Sequence, residues 1–193
     1  LYEENKIPFI LLKGAAYMCN HNQAAIGRVY ADVDIMVLKD DIDKAERTLL
    51  HNGWFSSKCF DVYDQRYYRK WMHELPPLRH LKRKTELDVH HTITPPTSVN
   101  NPCIDDFWDK AVAIKGMPGA FVLAPIDMVI HSATHLFHEG DFDNGLRDIS
   151  DMYLLVKDFS SHGQFWENLI KRSKSQNLGR PLFYALRYMT VIF

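Results

Sequence analysis

Two short segments, 31–38 and 85–93, alternate acidic with apolar side chains, and that alternation constrains this chain's fold more than any other feature. In Ala31-Asp-Val-Asp-Ile-Met-Val-Leu38 the side-chain period of two that belongs to a β-strand sends Asp32 and Asp34 to one face. Val33, Ile35 and Val37 point to the other. Carboxylates crowded together repel unless a cation, a proton or a basic group neutralises them, and hard divalent metals with oxygen ligands do this well. We read a magnesium site here, and the alternative reading is a strand end with two solvated acids. In Thr85-Glu-Leu-Asp-Val-His-His-Thr-Ile93 the same period puts Glu86, Asp88 and His90 on one face. That strand supplies the third carboxylate of the usual two-metal arrangement for phosphoryl chemistry.

Around these strands the chain reads as an α+β protein. Residues 1–6 look like the end of a helix, and Ile7-Pro-Phe-Ile-Leu-Leu12 like a short buried strand that ends at Lys13-Gly14. Helix formers follow over 15–22, and a second strand over 32–38. A helix is then expected, capped by Asp40 or Asp41, with Ile42, Ala45, Leu49 and Leu50 on one side and Gly53 as its stop. Aromatic and β-branched residues from Trp54 to Ile93 predict strands over about 54–60, 64–73, 78–83 and 85–93. The turn-rich stretch Pro95-Pro-Thr-Ser-Val-Asn-Asn-Pro102 separates a catalytic core, 1–100, from a mostly helical lobe, 101–193. In that lobe a short helix from Asp105 and a small hairpin through Gly116-Met-Pro-Gly119 precede helices over 125–139, 144–158, 163–176 and 180–193.

With 193 residues, 46% hydrophobic, 24% charged and a net charge of -1, bulk composition points to an ordinary globular protein and to no particular partner. Cys19, Cys59 and Cys103 lack CxxC spacing, which argues against a disulfide framework or zinc ribbon and suggests a reducing cytoplasm. No apolar run approaches membrane-spanning length. The missing initiating Met and the apolar end Tyr188-Met-Thr-Val-Ile-Phe193 read as those of a piece of a longer chain.

A strand ending in Gly, a strand carrying Asp-x-Asp and a later strand carrying one more acid resemble the polymerase-β-like nucleotidyltransferase superfamily. The closer resemblance is to its branch of uncharacterised nucleotidyltransferases, through Leu12-Lys-Gly-Ala15, Arg28, Asp32-Val-Asp34 and Asp88-Val-His90. It extends more loosely through Ile130-His-Ser-Ala-Thr-His135 and Gly145-Leu-Arg-Asp-Ile-Ser-Asp151. The resemblance implies a short mixed sheet with helices followed by a helical lobe. It implies transfer of a nucleoside monophosphate, AMP from ATP as first choice, to a hydroxyl on a small molecule or, as second choice, a macromolecule. Asp32 and Asp34 would hold two magnesium ions, with manganese as a substitute, and Asp88 would complete the ion nearer the acceptor and accept or orient its proton. Lys13, Gly14 and Arg28 would contact the triphosphate, Gly14 because it puts no Cβ in the way at the start of a helix. Where the superfamily often has Gly-Ser or Gly-Gly this chain has Gly14-Ala15, so Lys13 or backbone N–H groups would replace the missing hydroxyl.

Other features fit blander roles. His131, His135 and His138, with Asp127 one turn earlier, form a helical stripe that suggests zinc but lacks an HExxH glutamate, and we expect it to face the catalytic half. Between Arg66 and Lys84 seven Lys or Arg stand against the single acid Glu74, which reads as a solvated face before a nucleic-acid groove. Arg147 and Asp151 are expected to pair with each other or across the interface. The rival functions are a catalytically inactive nucleotide-binding or regulatory module of the same fold, and a metal hydrolase built on the histidine stripe.

Overall fold

The computed structural model describes residues 1–30, 32–56, 62–139, 142–161 and 163–193. A short helix α1 (Tyr2–Asn5) leads into β1 (Phe9–Leu11), α2 (Lys13–Cys19), β2 (Asp32–Met36), α3 (Ile42–His51) and β3 (Trp54–Ser56). Then come α4 (Val62–Trp71), β4 (Leu78–His80), β5 (Glu86–His90), α5 (Asp105–Trp108), β6 (Val112–Ala113) and β7 (Ala120–Val122). Four helices complete the chain, α6 (Pro125–Glu139), α7 (Gly145–Phe159), α8 (Phe165–Ser175) and α9 (Gly179–Ile192).

The strands form one mixed sheet in the order β3-β4-β5-β2-β1-β7-β6. β2 runs parallel to β5 and antiparallel to β1, and β1 runs parallel to β7. The hairpin of β6 and β7 lies beyond the Pro95–Pro102 loop yet extends the sheet on the β1 side, so strands from both sides of that loop share one sheet. Ile10, Leu11, Ile35, Met36, Leu87 and Val89 are buried at its centre. They belong to the same apolar cluster as Val129, Ala133, Leu136, Met152, Leu155 and Leu169 of α6, α7 and α8. Helix α6 is the hub of the helical part, packed on α7, α8 and α9. Among the described residues no helix is long and apolar enough to cross a membrane.

Two local expectations change. The segment expected as a strand over 64–73 is the helix α4, because Tyr63, Tyr67 and Trp71 recur every four residues, and Tyr67 meets Trp71 with ring centroids 5.8 Å apart. Aromatic strand preference yields to helical period there. Helix α3 has no side-chain cap at Asp40 or Asp41; the chain enters it through a 3₁₀ turn, Lys39–Asp41. The expected strand 54–60 is seen as Trp54–Ser56, its remainder lying outside the described residues.

A buried fork ties the helical part together. Arg172 of α8 donates from Nε to Asp127 Oδ1 at 2.7 Å and from Nη2 to Asp127 Oδ2 at 3.1 Å, with further bonds to Asp106. Asp127 is 1% exposed, so losing the guanidinium strands a carboxylate in the core. Arg172→Met is expected to lower unfolding free energy by about 3–5 kcal/mol in urea denaturation. A loss below about 1 kcal/mol, the range of exposed pairs, contradicts this account.

Candidate active site

Parallel strands β2 and β5 pair in register, Asp32 with Glu86, Asp34 with Asp88 and Met36 with His90. Directly paired residues point to the same face of a sheet, and neighbouring strands lie about 4.8 Å apart. Asp32, Asp34 and Asp88 therefore share one face, as the sequence predicts. Burial deepens along both strands: Asp32 and Glu86 are exposed, Asp88 is half-buried, and Asp34 and His90 are buried. The acids run from the mouth of a cleft of about 700 Å³ to its floor.

Lys13 follows β1 in a left-handed backbone conformation, φ 45°, which L residues adopt at a cost of about 1–2 kcal/mol. That turn carries its Nζ to 2.8 Å from Asp34 Oδ1, on the strand beside β1. His90 Nε2 stands 3.2 Å from the same oxygen. Both contacts fall on Oδ1, so neither consumes the second oxygen of Asp34. Burial alone would raise the Asp34 carboxyl; Lys13 and His90 outweigh it and hold the group well below the usual carboxylate range. Asp88 behaves in the opposite way. Burial, then the charges of Asp34 and Glu74, push it up to about 7 against a small lowering by Lys13.

Gly14, also on the cleft wall, is overlaid by Tyr30 and Arg28. A Cβ at Gly14 would meet Tyr30 Cε1 at 2.8 Å and Arg28 Nε at 2.9 Å, so only glycine admits groups this close. The Arg28 guanidinium bonds to Asp151 of α7 and lies over the rings of Tyr17 and Tyr30, 5.7 and 5.9 Å from their centroids. Arg147 pairs with Asp148 at 3.2 Å, so Asp151 answers Arg28 across the interface.

Residues of α6 and α7 complete the lining of the cleft. Ser132 and Tyr17 share a hydrogen bond at 2.5 Å, and burial raises the Tyr17 hydroxyl to about 12. His135 and His138 line the cleft, and His138 Nε2 sits 2.8 Å from Ser98 Oγ. His131 is buried, and burial together with His135 and Lys13 lowers its pKa well below the ordinary value. The stripe faces the catalytic half, but Asp127 is held in the Arg172 fork, so the four groups do not share one metal.

Sequence reasoning passed over His73 and Glu74. Both line the cleft, and Glu74 Oε2 lies 3.4 Å from His90 Nδ1. Its one signal was being the sole acid in a basic run. Among the described residues, one donor atom each from His73, Glu74 and His90 lies within 4.8 Å of the other two.

Comparison with known proteins agrees with this architecture. No curated protein matches the sequence. In structure the chain is similar to the antibiotic-resistance factor ANT(2'')-Ia, a solution structure, with a TM-score of 0.55 at 12% identity over 100% of this chain and 92% of the other. At that identity the likeness concerns the fold alone. The family model described as uncharacterised nucleotidyltransferase matches residues 1–193, and the chain therefore belongs to that family.

Proposed function

We propose that this protein transfers a nucleoside monophosphate, AMP from ATP as the first candidate, to a hydroxyl of an acceptor, with a small molecule preferred over a macromolecule. The in-register pairing of Asp34 with Asp88 on the cleft face carries this reading. The donor set suits magnesium, because Asp32, Asp34 and Asp88 offer hard oxygens from one face. Burial first, and then repulsion from Asp34 and Glu74, raises the Asp88 carboxyl, and a divalent cation would offset that repulsion. Two magnesium ions held by these three residues, or manganese in their place, would supply positive charge to the attacking and leaving oxygens of an in-line displacement.

The chain's own groups then divide the work. Lys13 keeps Asp34 ionised and fixes its Oδ1, leaving the other oxygen available as a ligand. A carboxylate oxygen of Asp88 takes or orients the acceptor hydroxyl's proton, a role open to a metal-bound carboxylate once the cation has lowered the pKa of that hydroxyl. Gly14 carries no Cβ, and a triphosphate would reach its backbone by displacing the Tyr30 and Arg28 side chains that cover it. Arg28 faces the same wall and would exchange part of its contact with Asp151 for phosphate oxygens. Ser132 and His135 from α6 line the same cleft.

Labelled ATP incubated with the protein, magnesium and a cell extract is expected to pass its α-phosphate label to an acceptor. Asp32→Asn and Asp34→Asn are each expected to reduce that transfer by at least about 100-fold. Equal transfer by wild type and variants removes the proposal. ATP binding without turnover would favour the non-catalytic module.

Asp88 also gives a pH test. Its carboxyl holds a proton up to about pH 7 in the folded chain but only to about 3.8 when unperturbed, so between these values the folded state binds the extra proton. Stability then falls as pH rises through that window. For metal-free protein, the melting temperature of wild type minus that of Asp88→Asn is expected to decline from about pH 4 to about pH 7 and then level off. A flat or rising difference contradicts the assignment.

A further inference from the structure

Beside the three aspartates, the strand β5 takes part in a second cluster of donors. The segment 73–75 bridges to β5, with Leu75 N–H donating to Val89 O at 2.8 Å and His91 N–H to His73 O at 2.9 Å. These bonds flank the pair Glu74 and His90, the widely spaced antiparallel arrangement in which facing side chains stand closest. The His90 ring sits between two carboxylates, Nε2 3.2 Å from Asp34 Oδ1 and Nδ1 3.4 Å from Glu74 Oε2. His73 stacks on that ring, centroids 5.3 Å apart at 25°, and brings its Nε2 to 4.0 Å from the same Glu74 oxygen.

An ionised carboxylate only accepts hydrogen bonds, so Asp34 assigns the ring N–H of His90 to Nε2. His90 Nδ1 faces Glu74 Oε2 at 3.4 Å, a contact that either a proton on Nδ1 or a cation between the two atoms satisfies. A proton there would serve two donors, whereas three converge. A tetrahedral ion with bonds of about 2.0–2.1 Å keeps its ligand atoms about 3.4 Å apart. Glu74 and His90 already have that spacing, and His73 Nε2 stands 4.0 Å from Glu74 Oε2.

We propose that His73, Glu74 and His90 bind a zinc ion, a second metal centre that adjoins the aspartate cluster and is coupled to it through Asp34. Two imidazoles and one carboxylate suit zinc, whereas magnesium prefers an all-oxygen shell. Asp34 plays the carboxylate that orients a ligating histidine from behind. All three ligands line the cleft, so the fourth position opens toward it and takes a water or a substrate oxygen. This centre stands whether or not nucleotidyl transfer does.

The test uses the full chain stripped with a chelator and titrated with zinc chloride alone, bound zinc being counted by mass spectrometry after gel filtration. Affinity is read against a chromophoric chelator, and cobalt substitution reports the ligand type through its visible bands. One zinc per chain is expected in wild type and undiminished by excess magnesium. His73→Ala and the near-isosteric Glu74→Gln, each with an unchanged far-UV dichroism spectrum, are expected to lose it. Asp34→Asn is expected to weaken it about 10- to 100-fold, and Asp32→Asn to leave it unchanged. Failure of the folded wild type to retain zinc overturns the proposal. So does zinc that survives both His73→Ala and Glu74→Gln but is lost in Asp32→Asn, since the ion then sits on the aspartates.

Discussion

Five paired residues between β2 and β5 hold the chemistry of this protein in place, because a parallel ladder in register leaves Asp34 no position except beside Asp88. Shifting either strand by one residue would turn Val33 or Leu87 into the cleft and bury the acids among Ile35 and Val89. That apolar set is buried on the other face, which makes the slip costly. The same burial that fixes the register therefore fixes the distance between the carboxylates.

Crowding acids at the floor of a cleft raises an electrostatic demand that the protein meets unevenly. Lys13, held in a left-handed turn, and His90 serve Asp34 and leave it ionised. Asp88 receives little such help and is pushed up to about 7 by burial and by its neighbours. Without a cation one carboxylate thus stays charged and the next takes a proton near neutral pH, so a cation bound at this face would release that proton from Asp88. His90 joins this arrangement to Glu74 and His73, so a change at Asp34 is felt on both sides of β5.

Much of this was legible in the primary structure, for reasons that differ between the halves. Alternation in Asp32-Val-Asp34 and Glu86-Leu-Asp88 encodes which face the acids take, because strand geometry admits one outcome. Helical period marks α6, α7, α8 and α9 to within two residues at each boundary, since each has a long apolar stripe. What stayed hidden depends on contacts distant in sequence. Arg28 meets Asp151 across 123 residues, and Asp127 meets Arg172 across 45, and no local pattern selects those partners over nearer ones. Glu74 becomes a site residue only because segment 73–75 pairs with β5 ahead of Pro76-Pro77, an interruption that resembles a plain loop in sequence. The aromatic run of α4 misleads because residue type and period disagree there, and period prevails.

The central claim is that the three aspartates form a single cation-binding face. Its most direct test is the anomalous difference map of a crystal grown with manganese and a non-hydrolysable nucleoside triphosphate. The account predicts density bridging the carboxylates of Asp32, Asp34 and Asp88 and continuous with the triphosphate beside Lys13 and Gly14. Manganese absent from these carboxylates while nucleotide is bound elsewhere on the chain would contradict it.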